Sequence, residues 1–318
     1  MVRILVGIIL ILQFILSSEA FAQPRRTLLD AGPAGRVAAI PQQARGDEVL
    51  RLIRNGQTVW QARARRFEPF RDGTPIPIGA NATAIGITGW TGGAYCCWTL
   101  HLFRQGPNGL DRIASLPLGK REPDIIRLNP PGSTAIRLAD AEFDFWDVPA
   151  SLAADLHPTI PFRWTGRRLE PDLAAMRRPV AEALGTACTE MAAPDDMPAP
   201  ERRITTYPGL TAAIAALRAR DWRIPRDRSP HAGVEAARLA ACLIYSGHAT
   251  EAQRLLREAW PAGVRGLAET ERQIAARLAC SPFAAAVRAV NPPGAPFTTA
   301  RCNRDGPDQT AIFALNWR

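Results

Sequence analysis

The spacing of the apolar residues changes near residue 171, and this change limits the chain to a small set of folds. Between about 36 and 170, short apolar and aromatic runs are broken by Gly, Pro and Asn, as is typical of strands. Beyond about 201, Ala, Leu and Arg recur at helical spacing. The sequence therefore predicts an α+β protein, with an antiparallel β-domain at 23–170, a helical connector and Pro-rich linker at 171–200, and an α-helical domain at 201–318.

The strongest local signal in the β-domain is Asn55-Gly56, because both residues tolerate the positive φ of a tight hairpin turn. It predicts a hairpin between strands at 48–54 and 57–62. Other apolar runs predict further strands, at 83–90, 95–104, 110–118, 124–128, 134–143, 160–164 and 167–170.

Three of the predicted hairpins share an apolar or aromatic residue followed by an arginine ahead of a turn, at Ile53, Phe103 and Phe162. Their spacings of about 50 and 59 residues are compatible with repeated antiparallel units of blade size. The β-domain supplies only about three blades, too few for a closed propeller of about four to eight. We therefore expect an incomplete propeller-like arrangement or a sandwich.

Four runs predict helices in the C-terminal part, at 209–220, 233–245, 250–260 and 267–280. Gly247, Ala252 and Ala259 have the spacing of the small residues at the helix crossing of a tetratricopeptide unit. A solenoid needs about three such units, and the sequence shows one clean copy. An ordinary helical hairpin is therefore the favoured interpretation.

The first 22 residues have the layout of a secretory signal peptide. Arg3 precedes an apolar stretch at 4–16, and Ala20-Phe21-Ala22 places small residues three apart. The apolar stretch is shorter than the about 20 residues that a spanning helix needs. We expect cleavage after Ala22, a periplasmic or secreted protein, and no transmembrane span in the mature chain.

All six cysteines follow this segment, and an even number in an exported chain is first interpreted as disulfides. They are Cys96, Cys97, Cys188, Cys242, Cys280 and Cys302. Of the 15 pairings, Cys242–Cys280 is the leading prediction, since both residues follow Ala-Arg-Leu-Ala near matching ends of helices expected to lie side by side. Cys280–Cys302, which would anchor the C-terminal segment, is next.

The formal net charge of +9 raises nucleic acid as a partner, but the distribution of the cations argues against it. Lys120 is the one lysine among 39 basic residues, and the arginines are scattered without the interleaved aromatics of a base-stacking surface. Five of the eight tryptophans fall in the β-domain, at 60, 90, 98, 146 and 164. They form either a sugar-stacking or protein-binding face or, as we favour, part of the core.

The stretch 92–101 is the most unusual in the chain, because two adjacent cysteines lie four and five residues before His101. On a strand, Cys97 and His101 share a face that Cys96 does not, so the three cannot hold one metal ion. Disulfides, including a vicinal Cys96–Cys97 bond, are the favoured interpretation. A Cys97–His101 nucleophile pair is an alternative, and no metal or cofactor is expected.

Three carboxylates, Asp140, Glu142 and Asp144, alternate along one predicted strand, at 134–143, or its exit. They would suit calcium, or a general acid and base. The alternation with Phe143 and Phe145 instead favours an amphipathic strand whose acidic side faces solvent. They are kept as candidate catalytic residues together with Cys97 and His101.

Segments 91–102, 140–147, 161–178 and 243–248 together resemble an uncharacterised family of exported proteobacterial proteins. Their β-part is similar to degenerate propeller repeats of the FG-GAP or VCBS kind. The resemblance covers most of the chain after residue 22 and implies no assigned chemistry. The chain lacks the Asp-x-Asp-x-Asp-Gly loop of well-formed repeats of that kind, which argues against calcium binding.

The sequence therefore predicts a non-catalytic binding protein of the cell envelope, whose partner is another envelope protein or a glycan. The basis is the export signal together with the interaction surfaces that β-repeats and helical hairpins present. The alternative is a thiol- or metal-dependent hydrolase centred on Cys97 and His101.

Overall fold

A computed structural model describes residues 26–42, 46–92, 97–123, 126, 128–129, 133–144, 156, 158–185, 206–222 and 232–303. The predicted signal peptide and its cleavage site lie outside the described residues, as do Cys96, Cys188 and Trp146. The chain is an α+β protein in which three antiparallel sheets precede most of the helices.

The first sheet is a meander of four consecutive strands. They are β1 (Arg26–Asp30), β2 (Arg36–Gln42), β3 (Asp47–Arg54) and β4 (Gln57–Ala64), in that spatial order. The hairpin predicted at Asn55-Gly56 is confirmed, with φ of 49° and 77° at the two turn residues and Arg54 paired with Gln57. Local turn chemistry sets this register.

The second and third sheets follow in chain order. The second has β7 (Ala82–Trp90), β8 (Trp98–Gly106) and β9 (Gly109–Gly119), with β5 (Arg66–Pro69) and β6 (Ile76–Gly79) both paired to β7. The third has β10 (Ile136–Ala139), β11 (Thr159–Trp164) and β12 (Leu169–Pro171). Ile126 and Leu128 are buried but lie in no strand, so the strand predicted at 124–128 is wrong where the structure describes it. The similarity of these sheets to propeller repeats stays a prediction.

The second sheet is apolar on both faces. Phe67, Ile87 and Phe103 belong to an apolar cluster shared with the first sheet. Leu100 and Leu102, on the opposite face of β8, belong to a larger cluster that contains residues of the third sheet and of the helices. This sheet is therefore the middle layer of the molecule.

Seven helices lie among the described residues. They are α1 (Leu173–Met176), α2 (Val180–Ala183), α3 (Leu210–Arg218), α4 (Ala232–Tyr245), α5 (Ala249–Ala259), α6 (Leu267–Cys280) and α7 (Ala284–Val290). Their apolar faces join the same large cluster as Phe162 and Leu169 of the third sheet. The second and third sheets and the helices thus share one core, which continues across the expected boundary at 171–200, whereas the first sheet packs in the separate cluster that contains Phe67.

Helices α4 and α5 form the expected hairpin. Gly247 has a φ of 91° in the turn, and a Cβ there would come within 2.9 Å of the Val290 carbonyl oxygen. Ala252 and Ala259 are fully buried. The small residues at these positions therefore allow close packing, as their spacing predicts.

The C-terminal segment is tied to the end of α6 by a disulfide between Cys280 and Cys302, whose Cα atoms are 4.6 Å apart. The leading prediction, Cys242–Cys280, is therefore wrong, and the second prediction is confirmed. The reason is that α7 and the segment after it return the chain to Cys280, a path that helix periodicity does not reveal. Cys97 and Cys242 are also disulfide-bonded. No described helix is long and apolar enough to cross a membrane.

Replacement of Gly119 by alanine is expected to lower the free energy of unfolding by about 3 kcal/mol or more. Its φ is 62°, and an added Cβ would lie 1.9 Å from Asp144 Oδ2, inside a buried ion pair. Urea titration measures the change. Gly56→Ala is the control, because its φ is 77° but nothing lies within 4 Å, so it should cost only about 1–2 kcal/mol. Equal losses would show that the contact with Asp144 contributes nothing.

Candidate functional site

Three side chains form a row across one end of the second sheet. Arg66 is the β-partner of Trp90, and Trp90 is the β-partner of Trp98. Laterally paired residues on neighbouring strands point to the same face of a sheet. The register therefore brings together residues that are far apart in sequence.

The two indole rings of this row are stacked, with centroids 6.1 Å apart and an interplanar angle of 29°. The guanidinium carbon of Arg66 lies 5.4 Å from the Trp90 centroid and 6.0 Å from that of Trp98. Both tryptophans are half-buried, and Arg66 is exposed. Trp98 packs against the large core, which fixes its ring while leaving part of it at the surface.

A short clamp joins the end of β7 to the start of β8 beside this row. Thr91 and Cys97 pair through their backbones at 3.1 Å, and the Thr91 hydroxyl accepts from the Cys97 amide at 2.9 Å. Cys97 is disulfide-bonded, and the Arg65 amide donates to the Trp90 carbonyl at 2.7 Å. We define the Trp90–Trp98 face as the surface formed by five residues: Arg65, Arg66, Trp90, Thr91 and Trp98. These hydrogen bonds hold the backbone at Trp90, Thr91 and Cys97.

The candidate pair Cys97 and His101 does not carry a free thiol in this structure. Cys97 is oxidised, so it offers no thiolate nucleophile. His101 Nδ1 is instead hydrogen-bonded to Ser115 Oγ on β9 at 2.9 Å. His101 and Ser115 are lateral partners in the β8–β9 ladder, a contact that spacing along one strand does not reveal.

The surroundings of His101 are aromatic and cationic. The Trp60 ring lies edge-on with its centroid 5.1 Å away, and Arg112 donates to Ser115 Oγ at 3.1 Å. Burial, with a smaller contribution from the charge of Arg112, lowers the pKa of His101 to about 4. The imidazole is therefore neutral at pH 7 and has Ser115 as its hydrogen-bonding partner.

The structure corrects the expected position of the three carboxylates. Strand β10 ends at Ala139, and residues 141–143 form a 3-10 turn with Asp140 as its N-cap. Asp140 is fully buried and Asp144 is 5% exposed, so the prediction of a solvent-facing acidic side is wrong for both. Phe143 is buried, as predicted.

Asp140 connects the third sheet to the helices. Its Oδ2 accepts hydrogen bonds from the hydroxyls of Tyr245 at the end of α4 and Ser281 just after α6. Its Oδ1 accepts from the Glu142 amide at 3.0 Å. Burial raises the pKa of Asp140, and the hydrogen bonds and Arg121 offset that rise only in part. Burial also raises the pKa of Tyr245 well above its usual range.

Asp144 and two arginines complete this junction. Arg121 Nη1 lies 3.3 Å from Asp144 Oδ1, and both side chains are buried. Arg277 of α6 donates to the backbone carbonyls of Glu142 and Asp144 at 2.7 and 2.6 Å. These contacts give the acidic run a structural role that joins β10 to α6.

No three His, Cys, Asp or Glu side chains converge as a metal site in the part of the chain that the structure describes. The described tryptophans of the β-part, Trp60, Trp90, Trp98 and Trp164, are all half-buried rather than fully within the core. Arg66 and Ser115 were not among the candidates from sequence. The group of arginines at 63, 65 and 66 is the sequence feature that could have indicated Arg66. The strand register that places Arg66 beside Trp90 depends on long-range pairing.

Comparison of the chain with protein-family models, curated proteins and solved structures gave no match. The Trp90–Trp98 face is therefore interpreted from its own chemistry.

The free energy of unfolding is expected to fall between pH 6.5 and about pH 4 because of His101. Its pKa in the folded protein is lower than in the unfolded chain, so the unfolded state binds more protons in this window and acidification favours unfolding. The loss is up to about 3 kcal/mol at the acid end. Urea titrations across the window measure it.

His101→Gln should flatten this part of the pH profile, whereas the control His248→Gln should keep it, because His248 lies in the helical region and contacts the Arg178 carbonyl instead. An unchanged slope in His101→Gln would contradict the assignment of the effect to His101.

Tyr245→Phe is expected to lower the free energy of unfolding by about 1–3 kcal/mol, because it removes a donor from the buried Asp140 carboxylate. Tyr207→Phe is a matched control. The Tyr207 hydroxyl accepts from Arg220 at 3.2 Å, and an ordinary hydrogen bond contributes about 1 kcal/mol, so the loss should be smaller than in Tyr245→Phe. Thermal and urea unfolding of both variants measure the difference, and equal losses would contradict a special role for Asp140.

Proposed function

We propose that this protein is an exported, non-catalytic binding protein of the cell envelope, and that the Trp90–Trp98 face binds a glycan bearing acidic groups. The observation that carries the proposal is the stacked, half-buried pair of indole rings with the Arg66 guanidinium over both of them. An acidic sugar has an apolar face of C–H groups and a carboxylate, and the indole rings and the guanidinium suit these two parts.

The indole pair supplies the apolar half of the recognition. A pyranose ring presents a face of C–H groups, and contact with a flat aromatic surface removes apolar area from water on both sides. The two stacked rings together offer more apolar area than one ring. The larger area favours a chain of sugars over a single sugar.

The arginines supply the polar half. A guanidinium forms paired hydrogen bonds with a carboxylate, which gives direction as well as attraction. Arg66 is paired with Glu68 at 3.0 Å, but both side chains are about half exposed, so an incoming carboxylate competes in a solvated setting. The net charge of +9 would also attract a polyanion from a distance.

The rigid frame of the face lowers the cost of binding. The Thr91–Cys97 clamp and the pairing of β5, β7 and β8 hold the backbone around the rings. A surface that is already ordered loses less conformational freedom when its ligand arrives. The same frame argues against the alternative of a thiol hydrolase, since Cys97 is part of a disulfide.

Export to the periplasm or beyond is the other half of the proposal. It is supported by the apolar stretch at 4–16 with Ala20-Phe21-Ala22 after it, and by the disulfide-bonded state of the described cysteines. The resemblance to exported proteobacterial proteins points the same way and stays a proposal.

The proposal predicts that the protein binds polygalacturonate and does not bind neutral dextran of similar length. Arg66→Gln should weaken binding to polygalacturonate about tenfold, since it removes a charge-assisted contact. Arg104→Gln is the matched control. The guanidinium carbon of Arg104 lies 5.3 Å from the Trp164 centroid, so this substitution removes the same charge from a second arginine–tryptophan pair. Affinity electrophoresis or calorimetry measures the dissociation constants.

Trp90→Ala tests the aromatic half against Trp164→Ala, with circular dichroism to check that both variants fold. We expect only Trp90→Ala to weaken binding. If Arg66→Gln and Arg104→Gln weaken polygalacturonate binding equally, the binding depends on the net charge of the protein and not on the Trp90–Trp98 face. Binding of an envelope protein, but of no acidic polysaccharide, by the same face would overturn the choice of ligand.

A further inference from the structure

Residues 291–303, which follow α7, are fixed in place although they form no helix or strand. Asn291 Oδ1 accepts from the Ala249 amide at 2.9 Å, and its Nδ2 donates to the Ile244 and Val287 carbonyls at 2.8 Å. Ala295 and Phe297 are buried, and Cys302 is bonded to Cys280. The segment is therefore anchored at its start, its middle and its end.

This segment forms one wall of a cleft of about 630 Å³. The other walls are the end of α6 at Ala279 and the exposed side of α7 at Arg288. The volume lies within the range of about 300–1,000 Å³ that is usual for small-ligand sites. The cleft lies in the helical region, whereas the Trp90–Trp98 face belongs to the second sheet.

The charge in this cleft has one sign. Arg288 and Arg301 both line it, and no carboxylate is among the described lining residues. Neither arginine makes a hydrogen bond or an ion pair with any described residue. By contrast, two exposed arginines outside the cleft have acidic partners. Arg254 of α5 is paired with Glu258 at 2.7 Å, and Arg272 of α6 with Glu269 at 2.5 Å.

The rest of the lining is apolar or a neutral donor. Pro292 and Pro293 present rigid apolar rings, and Ala300 adds a methyl group. Thr299 is exposed and adds a hydroxyl that can donate to an oxyanion. The lining thus combines a small apolar surface with two guanidinium groups that have no partner among the described residues.

We infer that this cleft binds a small organic anion, with a carboxylate or phosphate group between Arg288 and Arg301 and an apolar part against Pro292 and Pro293. Guanidinium groups bind both kinds of oxyanion with paired hydrogen bonds, so the shared chemistry is an oxyanion on an apolar body. The Cys280–Cys302 disulfide keeps Arg301 at the cleft, so the site requires the oxidised protein. This site is independent of the glycan proposal.

The test is calorimetric titration of the oxidised full chain with four probes: phenylphosphonate, benzoate, succinate and inorganic phosphate, with benzyl alcohol as a neutral reference. We expect phenylphosphonate or benzoate to bind with a dissociation constant of about 1 mM or lower, and inorganic phosphate to bind more weakly. Benzyl alcohol should not bind measurably.

Arg288→Gln and Arg301→Gln should each weaken the probe that binds about tenfold. Arg272→Gln is the matched control, because it removes the same charge from α6 outside the cleft lining. Cys302→Ser should weaken binding to a similar degree, since it frees the wall that carries Arg301. Circular dichroism in the absence of probe checks that each variant is folded.

The inference is overturned if no probe binds below about 10 mM. It is also overturned if the two cleft variants and Arg272→Gln lose affinity equally, which would indicate general attraction to a basic protein. If inorganic phosphate binds as tightly as phenylphosphonate, the proposed contact of an apolar group with Pro292 and Pro293 is wrong. Full affinity in Cys302→Ser would overturn the requirement for the disulfide.

Discussion

The buried carboxylate of Asp140 couples the sheets to the helices, because no single element satisfies it. It accepts hydrogen bonds from Tyr245 at the end of one helix, Ser281 just after another and the Glu142 amide of its own turn. A buried charge or polar group without partners is costly, so these elements must meet in one arrangement. Arg277 strengthens the same junction through backbone carbonyls. The apolar core that surrounds it is continuous from the third sheet to the helices.

The second sheet is covered on both of its faces, and this limits where its side chains can contact a ligand. One face meets the first sheet and the other meets the third sheet and the helices. Trp90 is the last residue of β7 and Trp98 the first residue of β8, and there the cover is incomplete. Their rings are packed on one side and partly exposed on the other, so the same layering that builds the core also produces the Trp90–Trp98 face.

Both surfaces to which we assign binding are built on segments that cross-links restrain. Cys97 lies at the edge of the Trp90–Trp98 face, and Cys302 at the wall of the cleft near Arg288. Irregular backbone has more conformations to lose than strands or helices, and a disulfide removes part of that freedom before a ligand binds. The two surfaces differ in shape and chemistry: one is a pair of stacked indole rings with an arginine beside it, and the other is a concave basic cleft.

Features that depend on neighbours along the chain could be predicted from the residue order. The Asn55-Gly56 hairpin, the order of strands before helices and the α4–α5 turn at Gly247 follow from local conformational preference and periodicity. Which polar residues are buried and which side chains meet depends on long-range packing, and these features became visible in the folded structure alone. Asp140 looked like a solvent-facing acid because its donor Tyr245 is 105 residues away. The contact of Arg66 with Trp98 and the bond of Cys280 to Cys302 likewise depend on strand register and chain path, which residue spacing along one element does not contain.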